Sequence, residues 1–123
     1  MLAVVYPEPG RYELRDVPVP QPAADQVLVK VMASTLCATD FKVFAGQFPG
    51  TRFPHTPGHE FAGEVVELGT GAAGFQPGDR VGVEVHVGCG SCARCLEGLY
   101  TLCEHYGQIE RGHAHIGFTV PGG

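Results

Sequence analysis

The chain has five cysteines, and four of them fall in one run, Cys89, Cys92, Cys95 and Cys103, spaced C-x2-C-x2-C-x7-C. Two-residue gaps let tight turns bring neighbouring sulfurs together, and the longer gap lets the chain return with the fourth. Four thiolates close a tetrahedral shell around one zinc ion, with arms near ~2.3 Å and no open position for water or substrate. Such a cluster holds a lobe together rather than doing chemistry. Disulfides and an iron–sulfur cluster compete for the same thiols. The odd cysteine count and the lack of a basic and then apolar leader after Met1 weigh against a secreted disulfide framework. The run also lacks the Cys-Pro ending of bacterial ferredoxin motifs. Zinc is the expected occupant.

A second constellation combines Cys37-Ala-Thr39-Asp40 with Gly58-His59-Glu60. A lone cysteine is usually a small buried hydrophobe, and a lone histidine usually a surface or satisfied core residue. Their placement changes the weighing, because Cys37 follows one strand-like segment and His59 precedes another, and sites are assembled at such loop-bordered ends. A thiolate and an imidazole are two ligands of an open, catalytic zinc. Asp40 is placed to take the other ring N–H of His59 and fix its tautomer, and Glu60 to set a carboxylate beside the metal.

The elements that must position these groups are short and β-rich. Met1–Tyr6, Arg11–Val17, Gln26–Ser34, Glu60–Leu68, Arg80–His86 and Ile116–Val120 are the predicted strands, separated by Gly and Pro. The apolar run from Val27 to Met32, broken only by Lys30, predicts a strand buried on one face and partly covered on the other. Thr39–Ala45 is a predicted short helix capped by Thr39 or Asp40. Gly46–Pro57, dense in turn formers, is an expected exposed loop. Phe44, Phe48, Phe53 and His55 either line an entrance to the site or pack that loop. The run Gly69-Thr-Gly71-Ala-Ala-Gly74 satisfies a dinucleotide fingerprint, yet Pro77-Gly78 follows where a helix must begin, so it reads as a turn.

With 123 residues, 44% of them hydrophobic, the chain is long enough for one domain with a core. No apolar run approaches a membrane span, and the expected location is cytoplasmic. The formal charge is −5, and a zinc-loaded four-thiolate cluster takes it to about −7, a poor surface for nucleic acid.

Together Cys37-x-Thr39-Asp40, Pro57-Gly58-His59-Glu60, the turn Gly78-Asp79-Arg80-Val81 and the four-cysteine lobe resemble the N-terminal, GroES-like catalytic domain of the zinc-dependent medium-chain alcohol and polyol dehydrogenases. The resemblance covers almost the whole chain. It implies a mainly β fold, a partly open barrel with a zinc lobe and one or two short helices. It implies that Cys37 and His59 bind catalytic zinc with Glu60 beside it, and that Cys89, Cys92, Cys95 and Cys103 bind structural zinc. Thr39 would be the first hydroxyl of a proton relay. The implied reaction oxidises an alcohol to an aldehyde or ketone, with hydride passing to NAD or NADP, the zinc acting as a Lewis acid. The resemblance departs at Lys42, where many members carry a relay histidine; a protonated lysine does not pass protons in the same way. The nicotinamide-binding domain and a third catalytic ligand are not found within residues 1–123, which are expected to be an incomplete catalytic domain, inactive alone. Exposed strand edges predict self-association as a homo-oligomer. For Phe41 and Lys42 the resemblance implies a polar, hydroxyl-bearing substrate. A stand-alone zinc-binding or interaction module is the alternative, which the retained Thr39, His59 and Glu60 weigh against.

Overall fold

The computed structural model describes residues 1–123. Seven short strands form three separate sheets, with two α-helices and two 3-10 turns between them. Strand β1 (Leu2–Val5) pairs antiparallel with β2 (Glu13–Asp16), Leu2 opposite Asp16 and Val5 opposite Glu13. The main sheet has the order β3-β4-β5, all antiparallel, from β3 (Val27–Thr35), β4 (Glu60–Leu68) and β5 (Arg80–Gly82). Thr35 faces Glu60 in its register, so the end of β3 that leads to Cys37 lies beside the start of β4 that follows His59. Two register shifts, at Leu28/Val29 and Val31/Ala33, bend this ladder.

The helix α1 (Ala38–Phe44) begins one residue earlier than its predicted span and is capped by Cys37, not by Thr39 or Asp40. The Cys37 sulfur accepts the Thr39 N–H at 3.2 Å, and the Asp40 carboxylate accepts the Cys37 N–H at 2.8 Å. This is a capping box with sulfur in place of a hydroxyl, a substitution that oxygen-based capping preferences do not anticipate.

Three segments differ, in whole or in part, from the sequence-based expectation. Arg80–His86 is not one strand: after Gly82 the chain leaves the main sheet, and His86–Val87 (β6) pairs instead with Ala114–His115 (β7). Ile116–Val120 is a tight turn rather than a strand, with the N–H groups of Phe118, Thr119 and Val120 converging on the His115 carbonyl. Gly46–Pro57 is a loop exposed at Gly46, Gln47, Pro49, Gly50, Arg52 and Pro54, as expected, but it is pinned to the body of the fold. Its backbone bridges Tyr6 at His55 in both directions, 2.7 and 2.9 Å, and Phe48 and Phe53 pack inward.

The core is Tyr6, Val43 and Phe118, surrounded by Phe44, Phe48, Phe53 and Val85. Tyr6 meets Phe44 edge to face at 5.3 Å, and Phe48 lies 4.7 Å from Phe118. Phe44, Phe48 and Phe53, which could have lined an entrance, therefore pack against the core instead, and His55 is buried within the loop. The core is small, with only 16 of 123 residues buried, so cross-links other than apolar packing matter for this fold. Much of β3 is exposed, from Lys30 to Thr35 and including Met32 at 68%, contrary to the covered strand that its apolar run predicts. No helix is long and apolar enough to cross a membrane.

Candidate metal centres

The four-cysteine lobe is built from turns that aim N–H groups at sulfur. Cys89 Sγ receives the Ser91 and Cys92 N–H groups at 3.5 and 3.4 Å, together with the Ser91 hydroxyl. Cys92 caps the one-turn helix α2 (Ala93–Leu96), its sulfur accepting the Cys95 N–H. The 3-10 turn Tyr100–Leu102 then returns the chain with Cys103. The Cys89–Cys95 and Cys92–Cys103 sulfurs stand 3.8 and 3.9 Å apart. A tetrahedron with ~2.3 Å metal–sulfur arms has edges of about 3.8 Å, whereas a disulfide needs about 2.05 Å. The donor set fits zinc.

Electrostatics point the same way. The hydroxyl and N–H of Ser91 hold the Cys89 thiol down at about 4. Backbone N–H groups from Cys95 and Glu104 lower Cys92, while burial and the neighbouring sulfurs push Cys95 up to about 12. Four sulfurs crowded together do not all ionise unaided. A divalent cation at the centre removes that conflict.

The second cluster joins Cys37, Asp40 and His59. Cys37 Sγ lies 3.2 Å from His59 Nε2, and Asp40 Oδ1 lies 3.2 Å from Nδ1 on the far side of the ring. Because the other Asp40 oxygen accepts the Cys37 N–H, one buried carboxylate orients both donors while its own oxygens are engaged. Glu60 is half exposed, with Oε1 3.6 Å from His59 Nε2 and Oε2 accepting the Thr35 hydroxyl at 2.6 Å. Thr39 sits on the first turn of α1, partly buried. A metal held by one thiolate and one imidazole keeps them about 3.5 Å apart, so Cys37 and His59 need part by only a few tenths of an ångström to receive it. His59 also lines an open cleft of about 630 Å³ bordered by Thr35, Glu60 and Glu84.

The dinucleotide-like glycine run makes no phosphate cradle. Gly69 and Gly71 N–H groups are spent on the carbonyls of Gln26 and Ala24, and no helix follows.

The family described as the alcohol dehydrogenase GroES-like domain matches residues 23–123. This chain belongs to that family. Among curated relatives, this GroES-like domain is 41% identical over 109 residues to an L-threonine 3-dehydrogenase of Pyrococcus horikoshii, covering 85% of the chain and 31% of the relative. It is 42% identical over 115 residues to a D-altritol 5-dehydrogenase of Agrobacterium fabrum, covering 91% of the chain and 34% of the relative. The cobalt- and zinc-bound thermostable alcohol dehydrogenase of Pyrobaculum aerophilum superposes with a TM-score of 0.88 at 36% identity, over 100% of this chain and 36% of that one. The GroES-like domain described here thus spans about a third of the length of the relatives it matches. Its mostly β architecture, four-cysteine lobe and Cys37–Asp40–His59 cluster are those of the zinc-dependent medium-chain dehydrogenases.

The sequence reading missed the residues that hold His59 from behind. Phe118 packs its ring 4.2 Å from the His59 ring, and residues 117–123 lie against Gly58. The glycines at 117, 122 and 123 were the available signal of a close approach, but nothing in the sequence says what they approach.

Proposed function

We propose that residues 1–123 are the catalytic-domain portion of a zinc-dependent dehydrogenase that oxidises a polar, hydroxyl-bearing small molecule to an aldehyde or ketone. The hydride acceptor is NAD or NADP, held by a separate nicotinamide-binding domain. The observation that carries this reading is the Asp40 carboxylate joining Cys37 N–H to His59 Nδ1, which turns Sγ and Nε2 toward one another at 3.2 Å. Zinc, when bound there, supplies Lewis acidity that lowers the pKa of an alcohol.

The roles of the chain's own groups follow from their chemistry. Cys37 and His59 are the protein donors for the catalytic metal, and Asp40 keeps Nε2 unprotonated by holding the proton on Nδ1. Glu60, steadied by Thr35, stands beside the donors as a carboxylate that can approach or withdraw. Thr39 offers a hydroxyl that donates and accepts at once, the property required to pass a proton outward. Cys89, Cys92, Cys95 and Cys103 hold the structural ion. The substrate class is supported by relatives named for threonine and altritol. Exposed Leu36 and Phe41, on either side of Cys37 in the chain, and Met32 further along β3 support self-association in this reading.

The test is zinc stoichiometry by elemental analysis. The expected result is two zincs in the parent, one in Cys37→Ala, and loss of the lobe's ion in Cys92→Ala with the other retained. A single zinc that survives Cys37→Ala but is lost in Cys92→Ala would mean that the structural site is whole and that the catalytic site, lacking its third ligand, is not preformed. A parent with no zinc would end both metal assignments.

A further inference from the structure

The turn that carries His59 is held by a part of the chain with no role in the metal argument so far. Residues 117–123 lie directly on Thr56-Pro57-Gly58-His59. The Gly122 N–H donates to the Thr56 carbonyl at 2.9 Å and the Gly123 N–H to the Gly58 carbonyl at 3.3 Å, while His55 Nε2 lies 2.8 Å from the Gly117 carbonyl. The contact is closer than any side chain allows. A Cβ on Gly117 or Gly122 would fall on the Gly58 carbonyl oxygen, and one on Gly58 would strike the Gly123 carbonyl. Gly117 also has a φ of +76°, open to glycine and costly for other residues.

This backbone contact has a consequence for one side chain. The tight turn on the His115 carbonyl drives Phe118 back over the site, where its ring lies 4.2 Å from the His59 ring at an angle of 46°. Phe118 cannot easily retreat, being 6% exposed and backed by Phe48, Tyr6 and Val43. Asp40 fixes His59 at a single point, Nδ1. A ring held at one point can still tilt about that hydrogen bond, and each tilt swings Nε2 away from Cys37. A buried aromatic ring inclined across one side of the imidazole removes that freedom and excludes water from the Asp40–His59 pair, which strengthens it.

We propose that Phe118, presented by the Gly117 turn, is a positioning residue for His59: it sets the ring tilt that aims Nε2 at Cys37 Sγ. The inference rests on the reading of His59 as a metal ligand, yet its first readout needs no metal at that site. Nitrogen NMR of the His59 ring is recorded on the 123-residue chain with zinc in the four-cysteine site, for the parent, Phe118→Tyr and Phe118→Leu. Cobalt(II) is then titrated into each, with Cys37→Ala as the blank. The parent and Phe118→Tyr are expected to give one sharp pair of ring signals protonated at Nδ1. Phe118→Leu, which keeps apolar bulk and loses the flat ring, is expected to give broadened or averaged signals and a cobalt affinity lower by roughly tenfold or more, with the four-cysteine zinc retained. Parent-like ring signals in Phe118→Leu would overturn the proposal. A parent without a Cys37-dependent cobalt band would count against a preformed metal site and not against the positioning role, which the ring signals decide. If Phe118→Leu loses its lobe zinc and fold, Phe118→Met replaces it, judged by the same signals.

Discussion

Asp40 is the residue on which the Cys37–His59 cluster turns, because its two oxygens serve two different N–H donors. Asp40→Asn keeps the shape but replaces one acceptor by an NH2 group that must face one of those donors. The expected outcome is a 10- to 100-fold weaker cobalt(II) affinity at the Cys37–His59 site with no change in four-cysteine zinc, read by optical titration of the zinc-loaded chain. The same carboxylate adds to burial in raising the Tyr6 phenol above its ordinary pKa. Its neutralisation therefore brings Tyr6 part of the way back, as an ultraviolet pH titration would report. Glu60 behaves differently. It is half exposed, with one hydrogen bond to the Thr35 hydroxyl and a longer 3.6 Å approach to His59 Nε2, and Glu60→Gln is expected to leave metal-free stability within about 0.5 kcal/mol of the parent in denaturant titrations.

Helix α1 and the paired strands β6 and β7 fail in different ways. Helix α1 is only seven residues long, below the length at which a helix persists alone, so its docking through the fully buried Val43 keeps Cys37 and Asp40 in place. Val43→Ala is expected to cost about 2 kcal/mol, visible as a lowered melting temperature together with weakened metal binding at Cys37. The paired strands β6 and β7 bring His86, His113 and His115 together, with His115 ring centroids 4.7 and 5.0 Å from the other two. Burial, with the neighbouring histidines added, lowers His115; burial and His86 likewise lower His113. The folded chain therefore holds fewer protons than the unfolded chain near and below the ordinary histidine pKa of about 6.5. The stability from these neutral imidazoles is complete above that value and is lost as pH falls through the lowered folded values. Melting temperatures should drop between pH 7 and pH 5. A His115→Gln variant should show a shallower drop, which separates the imidazoles from acid release of zinc by the cysteines.

At the scale of the molecule, a core of a few apolar side chains leaves the lobe from Cys89 to Cys103 without much to bury. Leu96, Leu99 and Leu102 are 76%, 44% and 63% exposed, and α2 is a single turn. The structural ion is then the lobe's principal cross-link, and its binding energy is folding energy. Chelator treatment under reducing conditions is expected to lower the melting temperature and collapse the dispersion of lobe NMR signals, with recovery on adding zinc. Lobe signals unchanged by complete zinc removal would show that the turns and their N–H to sulfur bonds suffice without the metal.

What the sequence determined by itself was local. Four cysteines at short spacing converge because the turns between them are short, and β4 was legible to the residue because Glu60–Leu68 is bounded by a proline-glycine turn and a glycine turn. The pairing of Cys37 with His59 was signalled by where each stood relative to a strand. Only the tertiary structure decided the rest. The exit from the main sheet at Gly82, the use of His115 as partner to His86, and the inward packing of Phe48, Phe53 and His55 depend on segments far apart in the chain. The glycine contact that sets residues 117–123 against His59 is of the same kind. Hydrophobic period and turn chemistry specify an element's type, but which surfaces meet is fixed by the shared burial of residues no local pattern connects.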